Sequence, residues 1–127
     1  MARYRFDPDA SVITLYARLS NSRTRWILMA LDTGSTYVLI PWDIAEALGY
    51  EPAYSKRKVD ITTASGTEKA PLITVKRVSV LGKEVRDVAC VVHDLPETSR
   101  VDGLLGLSFL KKLKLYLDFQ AGVLELE

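Results

Sequence analysis

The sequence predicts a mainly β fold, and three observations carry that expectation. β-Branched and aromatic residues recur in short runs such as Val12-Ile13-Thr14-Leu15-Tyr16 and Tyr37-Val38-Leu39-Ile40, a composition that fits a pleated, half-buried surface. Turn-forming residues punctuate those runs at short intervals, as in Asp7-Pro8-Asp9-Ala10, Ser20-Asn21-Ser22-Arg23, Ser65-Gly66 and Leu81-Gly82-Lys83. The chain has 127 residues, 48% of them apolar, enough for a real core and the length of a single domain spanning residues 1–127.

Taken in order, residues 3–6 and 11–19 read as a hairpin around the Asp7-Pro8-Asp9-Ala10 turn. Residues 24–31, with the run Trp26-Ile27-Leu28-Met29-Ala30-Leu31, read as a strand buried on both faces, and Trp26 as a core residue. Residues 37–40 form a short strand. Pro41 then opens a helix over residues 42–48, with Asp43 and Glu46 near its positive end and Gly49 after it as a stop. Trp42 is the stronger of the two tryptophans as a cleft residue.

Residues 54–64 and 67–80 are strand-like stretches joined at Ser65-Gly66, with Asp60, Thr62 and Thr63 before the turn and Thr67, Glu68 and Lys69 after it. A hairpin polar on both faces cannot bury itself in a core, so it should project into solvent. Residues 84–93 form the next strand and 95–100 a loop. Residues 108–112 suit one or two helical turns, and 113–119 with 123–127 close the chain as a hairpin around Gln120-Ala121-Gly122.

Composition removes several function classes. A net charge of +1 supplies no field toward nucleic acid or an anionic membrane, and the basic triplet Lys56-Arg57-Lys58 reads as a solvated strand face. No apolar stretch is long enough for a membrane helix. Residues 1–20 lack an apolar signal core, which points to the cytoplasm if Met1 is the true start. The single cysteine, Cys90, fits a reducing compartment. With one histidine, His93, three positions on and so on the opposite face of a strand, it makes neither a zinc site nor a Cys-His nucleophile. No metal and no cofactor is expected, and one histidine without an activated serine argues against a Ser-His-Asp hydrolase.

Two segments carry chemistry. The strand ending at Leu31 delivers Asp32 into the turn Thr33-Gly34-Ser35, where glycine admits close backbone approach and N–H or hydroxyl groups can orient the acid. Seventy residues on stands Asp102-Gly103-Leu104-Leu105-Gly106-Leu107-Ser108-Phe109-Leu110. Together they resemble the two motifs of retroviral-type, or retropepsin-like, aspartic proteases, most closely the cellular and bacterial single-domain members. The resemblance implies a closed β-barrel-like acid protease fold with one or two short helices.

It also implies roles. Asp32 would be the catalytic carboxylate, Thr33 would lock two catalytic loops across a dimer, and Gly34 would bring N–H groups to the carboxylates. Thr63, Ala64, Ser65 and Gly66 would form the tip of a flap over the substrate, and Leu104-Leu105-Gly106 would pack around the catalytic turn. A Ser35 hydroxyl donating to ionised Asp32 would stabilise the charged form.

Hydrolysis of a peptide by the chemistry of aspartic proteases needs two carboxylates sharing one proton, because like charges so close together cannot both ionise. This chain has one Asp-Thr-Gly. Asp43 falls on a helix, Asp118 in a closing strand and Asp102 before a turn. The second carboxylate must then come from a second copy, so the expected enzyme is a homodimeric aspartic endopeptidase acting on a peptide or protein substrate. The alternative is a non-catalytic module of the same fold that binds a peptide or partner strand. A phosphoaspartate enzyme is disfavoured, because no Gly-rich phosphate loop is present. The chain departs from the retroviral pattern at Ser35, at Thr36-Tyr37-Val38 and at Leu107-Ser108-Phe109, where an Asp–Arg clamp near the dimer interface is missing.

Overall fold

The computed structural model describes residues 2–127. In chain order these form β1 (Ala2–Arg5), β2 (Thr14–Ser20), β3 (Thr24–Leu31), β4 (Val38–Ile40), α1 (Trp42–Ala47) and a 3-10 turn at Pro52–Tyr54. Then come β5 (Lys58–Thr63), β6 (Gly66–Val80), β7 (Lys83–Val92), β8 (Gly103–Leu105), α2 (Leu107–Leu110), β9 (Leu115–Asp118) and β10 (Val123–Leu126).

Six strands close into a barrel in the order β2-β3-β8-β4-β7-β6, because the end of β6 pairs back onto β2 from Ala17↔Val80 to Ser20↔Arg77. Closure leaves these strands no free edge in that stretch. The β3–β8 and β4–β7 pairs run parallel and the others antiparallel. Period-two alternation fills the interior: Leu15, Ala17 and Leu19 from β2 meet Val78 and Val80 from β6, Val88, Cys90 and Val92 from β7, and Met29 from β3. Phe109 of α2 is wholly buried among them, a burial that contributes about 2 to 3 kcal/mol.

β6 has two lives. Its first residues pair with β5 from Thr63↔Gly66 to Lys58↔Pro71, forming an arm that leaves the barrel. From Leu72 onward it pairs with β7 and belongs to the barrel. The arm's outer half is exposed, as its polar sequence predicts. Val59 and Ile61 give it one partly apolar inner face, packed with Tyr37 and Ala89 on Ala70, Leu72 and Val91.

Three expectations are corrected. β1 does not pair with β2: it pairs with β10, which pairs with β9, in a separate three-stranded sheet. The Asp7–Ala10 turn does form, with the Ala10 N–H donating to the Asp7 carbonyl at 3.0 Å, but the Phe6 N–H turns to the Gly122 carbonyl at 2.8 Å. β2 is paired with β3 along its length and with β6 over Ala17–Ser20. β3 is buried only in its second half: Thr24, Arg25 and Trp26 are exposed where the β2–β3 hairpin runs past the core. Trp26 is 64% exposed, with the Arg18 guanidinium 6.0 Å from its ring centre. Finally, the strand over 54–64 begins only at Lys58, because Pro52 starts a 3-10 turn and Ser55 ties the following backbone to Leu72 through its hydroxyl at 2.7 Å. Gly49 ends α1 as expected, at φ +97°.

Among the described residues, no helix is long and apolar enough to cross a membrane.

Candidate active site

β3 carries Asp32 out of the barrel at its C-terminal end. The turn that follows closes through the Ser35 N–H, which donates to the Asp32 carbonyl at 3.2 Å. The Gly34 N–H donates to Asp32 Oδ1 at 3.0 Å, so the backbone fixes one carboxylate oxygen. Glycine at that place leaves room: an added Cβ would stand 3.4 Å from that same oxygen.

The second motif builds the floor. β8 runs parallel to β3 with Leu31 beside Leu105, and the Asp32 N–H donates to the Leu105 carbonyl at 3.1 Å. The chain then crosses under the turn, where the Leu107 N–H donates to the Ser35 carbonyl at 2.8 Å and the Ser108 N–H to the Thr36 carbonyl at 3.0 Å. Gly106 makes that crossing possible. Its φ of −96° is ordinary, so the requirement is space: a Cβ would overlap the Tyr37 carbonyl oxygen and stand 2.7 Å from that of Ser35.

Asp32, Gly34 and Ser35 open onto a groove of about 490 Å³ between the Asp32 turn and the arm. Its walls are Tyr37 and Leu39 from the turn and β4, Val59 and Ile61 from β5, Val91 from β7 and Leu104 from β8. Thr36, Thr62 and the Asp60 carboxylate line it as well, so the groove is mixed in character and holds two carboxylates. Thr33 does not line it. It lines a neighbouring groove of about 440 Å³ with Phe6, Val12, Ile13, Leu117 and Phe119.

The arm tip stands apart from Asp32. Ala64, Ser65 and Gly66 are exposed, and Thr63 closes the tip through its hydroxyl, which donates to the Gly66 carbonyl at 3.0 Å. Gly66 has φ +124°, which side-chain-bearing residues rarely adopt. In the single chain, the stem of β5 rather than this tip shares the groove with Asp32.

Ser35 takes a different role from the one its position suggests. Its hydroxyl donates to the Tyr37 carbonyl at 2.9 Å and not to Asp32. The residue that sequence reasoning missed is Ser108. Its hydroxyl donates to the Ala89 carbonyl at 2.7 Å and accepts from the Val38 N–H at 2.9 Å, joining β4, β7 and α2 behind the turn. Nothing local in the chain marks it, because the bridge exists only once β4 and β7 are assembled.

Two other carboxylates have partners of their own. Asp102 accepts from the Leu28 N–H at 3.1 Å while its own N–H donates to the Leu28 carbonyl. Leu28 lies four residues before Asp32, or about 13 Å along a strand. Asp60, on the arm stem, lines the same groove as Asp32 and is paired with Lys69 at 2.7 Å. Among the described residues no three His, Cys, Asp or Glu side chains converge as a metal site would need. Cys90 is wholly buried, and burial pushes its thiol pKa far up.

A barrel strand that hands one carboxylate to a glycine turn, braced by a crossing Leu-Leu-Gly strand, places the protein in the retropepsin-like class. The chain belongs to the family described as "gag-polyprotein putative aspartyl protease", whose profile matches residues 21–112. Among solved structures it is similar to a retropepsin-like aspartic protease from Rickettsia conorii, at 27% identity and a TM-score of 0.67, over 89% of this chain and 88% of that one. Among curated proteins it is 28% identical over 89 residues to an uncharacterized protein in the cobV 5' region of a Sinorhizobium species. That match covers 70% of this chain and 37% of the relative, so the chain spans well under half the length of the curated relative it matches.

Proposed function

We propose that this chain is one half of an aspartic endopeptidase, with two Asp32 carboxylates meeting across a homodimer to share one proton. The observation that carries the reading is Asp32 itself, held through Oδ1 by the Gly34 N–H and opening onto a groove of mixed polar and apolar lining under a projecting arm. An extended peptide would lie in that groove, adding as a strand along the free edge of β5, with side chains in alternate pockets. One carboxylate takes a proton from water as it attacks the peptide carbonyl, and the other supplies a proton to the leaving nitrogen. Thr63, Ala64, Ser65 and Gly66 act as a flap that closes over the peptide and excludes water. Residues 1–127 act as one catalytic domain. The buried single thiol of Cys90 suits a reducing compartment, and on that ground we place the protein in the cytoplasm.

The same groove and arm could hold a peptide without cleaving it, and the Ser35 hydroxyl turned away from Asp32 favours keeping that second reading. The deciding experiment is Asp32→Asn, assayed on a denatured protein substrate. The isosteric amide removes both acid and base from the pair, so cleavage should vanish while peptide binding and melting temperature persist. Equal cleavage by mutant and parent would take Asp32 out of the mechanism. Absence of cleavage by the parent, with retained peptide binding, would select the binding module.

A further inference from the structure

Few bonds hold the arm over Asp32. β5 stands last in its sheet, with β6 as its strand partner. At the base, the Leu72 N–H donates to the Arg57 carbonyl at 2.9 Å, and the Ser55 hydroxyl donates to the Leu72 carbonyl at 2.7 Å. Past that point, among the described residues, no hydrogen bond or ion pair joins Lys58–Thr63 to the barrel; the Asp60–Lys69 pair lies within the arm. What remains is side-chain packing, gathered at one place. Val59 and Ile61 of β5 share an apolar cluster with Tyr37, Ala70, Leu72 and Val91.

Tyr37 is the member of that cluster that follows directly from the Asp32 turn, two residues past Ser35. Its backbone is fixed from both sides. The Ser35 hydroxyl donates to the Tyr37 carbonyl at 2.9 Å, and Gly106 closes in the same oxygen. The next N–H, that of Val38, donates to the Ser108 hydroxyl at 2.9 Å, and Val38 pairs with Cys90 in β7. The side chain is partly buried and lines the groove together with Asp32, Val59 and Ile61. One residue therefore has its backbone in the frame of the turn and its ring in the cluster that holds the arm.

We infer that Tyr37 is a positioning residue whose ring is the strut that fixes the height of the arm over Asp32. This rests on the reading of the groove as a peptide site. The ring does no chemistry. It sets the gap between the Asp32 turn and β5, and it keeps β5 ordered before a peptide arrives to pair with it. Order present beforehand is a cost that binding does not have to meet. Loss of the ring should weaken peptide binding and leave the proton transfers at Asp32 largely intact.

The test compares Tyr37→Ala and Tyr37→Phe with the parent chain. By hydrogen exchange and mass spectrometry, residues 58–63 should exchange about tenfold faster in Tyr37→Ala, with β7 and β10 unchanged. On a peptide that the parent cleaves, KM should rise about tenfold while kcat falls by less than about threefold. Tyr37→Phe keeps the ring and should match the parent in both. Ile61→Ala empties the cluster from the arm's side without touching the backbone of the turn. It should reproduce the Tyr37→Ala pattern, and it carries the test alone if Tyr37→Ala does not fold. The double variant should be no worse than the worse single one, since each removes the same strut. Unchanged exchange over residues 58–63, a fall in kcat at constant KM, or fully additive losses in the double variant each overturn the strut. A parent that neither cleaves nor binds peptide overturns the peptide reading, and the exchange result then still decides whether Tyr37 holds the arm.

Discussion

Gly106 lies so close against Tyr37 that a side-chain carbon on the glycine would overlap the Tyr37 carbonyl oxygen. The obstacle is backbone on both sides, Tyr37 and Ser35, so no flexible side chain can yield. Gly106→Ala should cost about 3 kcal/mol or more of stability, read as a fall in the urea midpoint. Because the displaced backbone is that of the Asp32 turn, whatever folded protein remains should also lose the proposed activity. A midpoint equal to the parent's would mean that the crossing has slack.

Ser35→Ala separates two roles for one hydroxyl. The bond to the Tyr37 carbonyl predicts a stability loss of about 1 kcal/mol and an unmoved acidic limb of the pH–activity profile. If the hydroxyl instead swings onto Asp32 in the assembled enzyme, it stabilises the ionised form there, and its removal shifts that limb to higher pH. A pH profile of the alanine variant against the parent decides between them.

Ser108 holds three elements with one oxygen. Ser108→Ala leaves the Val38 N–H and the Ala89 carbonyl without this partner, a loss of about 1 to 3 kcal/mol by thermal or urea unfolding. Ser108→Thr keeps the hydroxyl and should recover most of it. Equal stability in all three proteins would show that the bridge contributes nothing net.

Cys90 sets an alkaline limit. Burial raises its thiol pKa in the folded chain, whereas the unfolded chain ionises near the ordinary value of about 8.5. A raised folded pKa means that the full contribution is present below that pH and is lost as pH rises, because only the unfolded state releases the proton. Unfolding free energy should therefore decline above about pH 8.5, and Cys90→Ala should show a shallower decline. The native thiol should also resist a disulfide-exchange reagent at pH 8 and react at once in denaturant. Rapid reaction of the native protein would place the thiol nearer the surface than β7 puts it.

Local chemistry is readable from this chain and distant pairing is not. The Asp32 turn, the Leu104-Leu105-Gly106 segment and the polar arm each follow from neighbouring residues, because turn conformation and alternation are short-range properties. Gly49 and Gly66 punctuate where a left-handed φ is needed. The partner of β1 depends on which edge stays open after β2, β3 and β6 have paired, and nothing in Ala2–Arg5 encodes that. Trp26 misleads for a related reason: its apolar neighbours are in the barrel, but the hairpin carries the indole past the barrel's end. Ser35 could satisfy either of two acceptors, and only the placed backbone of Tyr37 chooses. Ser108 has no local signature, since a bridge between β4 and β7 exists only once both are assembled.

The shared strand β6 joins the arm to the barrel without a break. Its pairing passes from β5 to β7 between Pro71 and Leu72, and Pro71 brings no N–H to that junction. The Leu72 N–H donates to the Arg57 carbonyl at 2.9 Å and Val59 and Ile61 pack toward Val91, so the base of the arm is tied to the barrel at that junction. Amide exchange along β6 should be fast through Lys69 and slow from Leu72 onward, a step in protection within one continuous element.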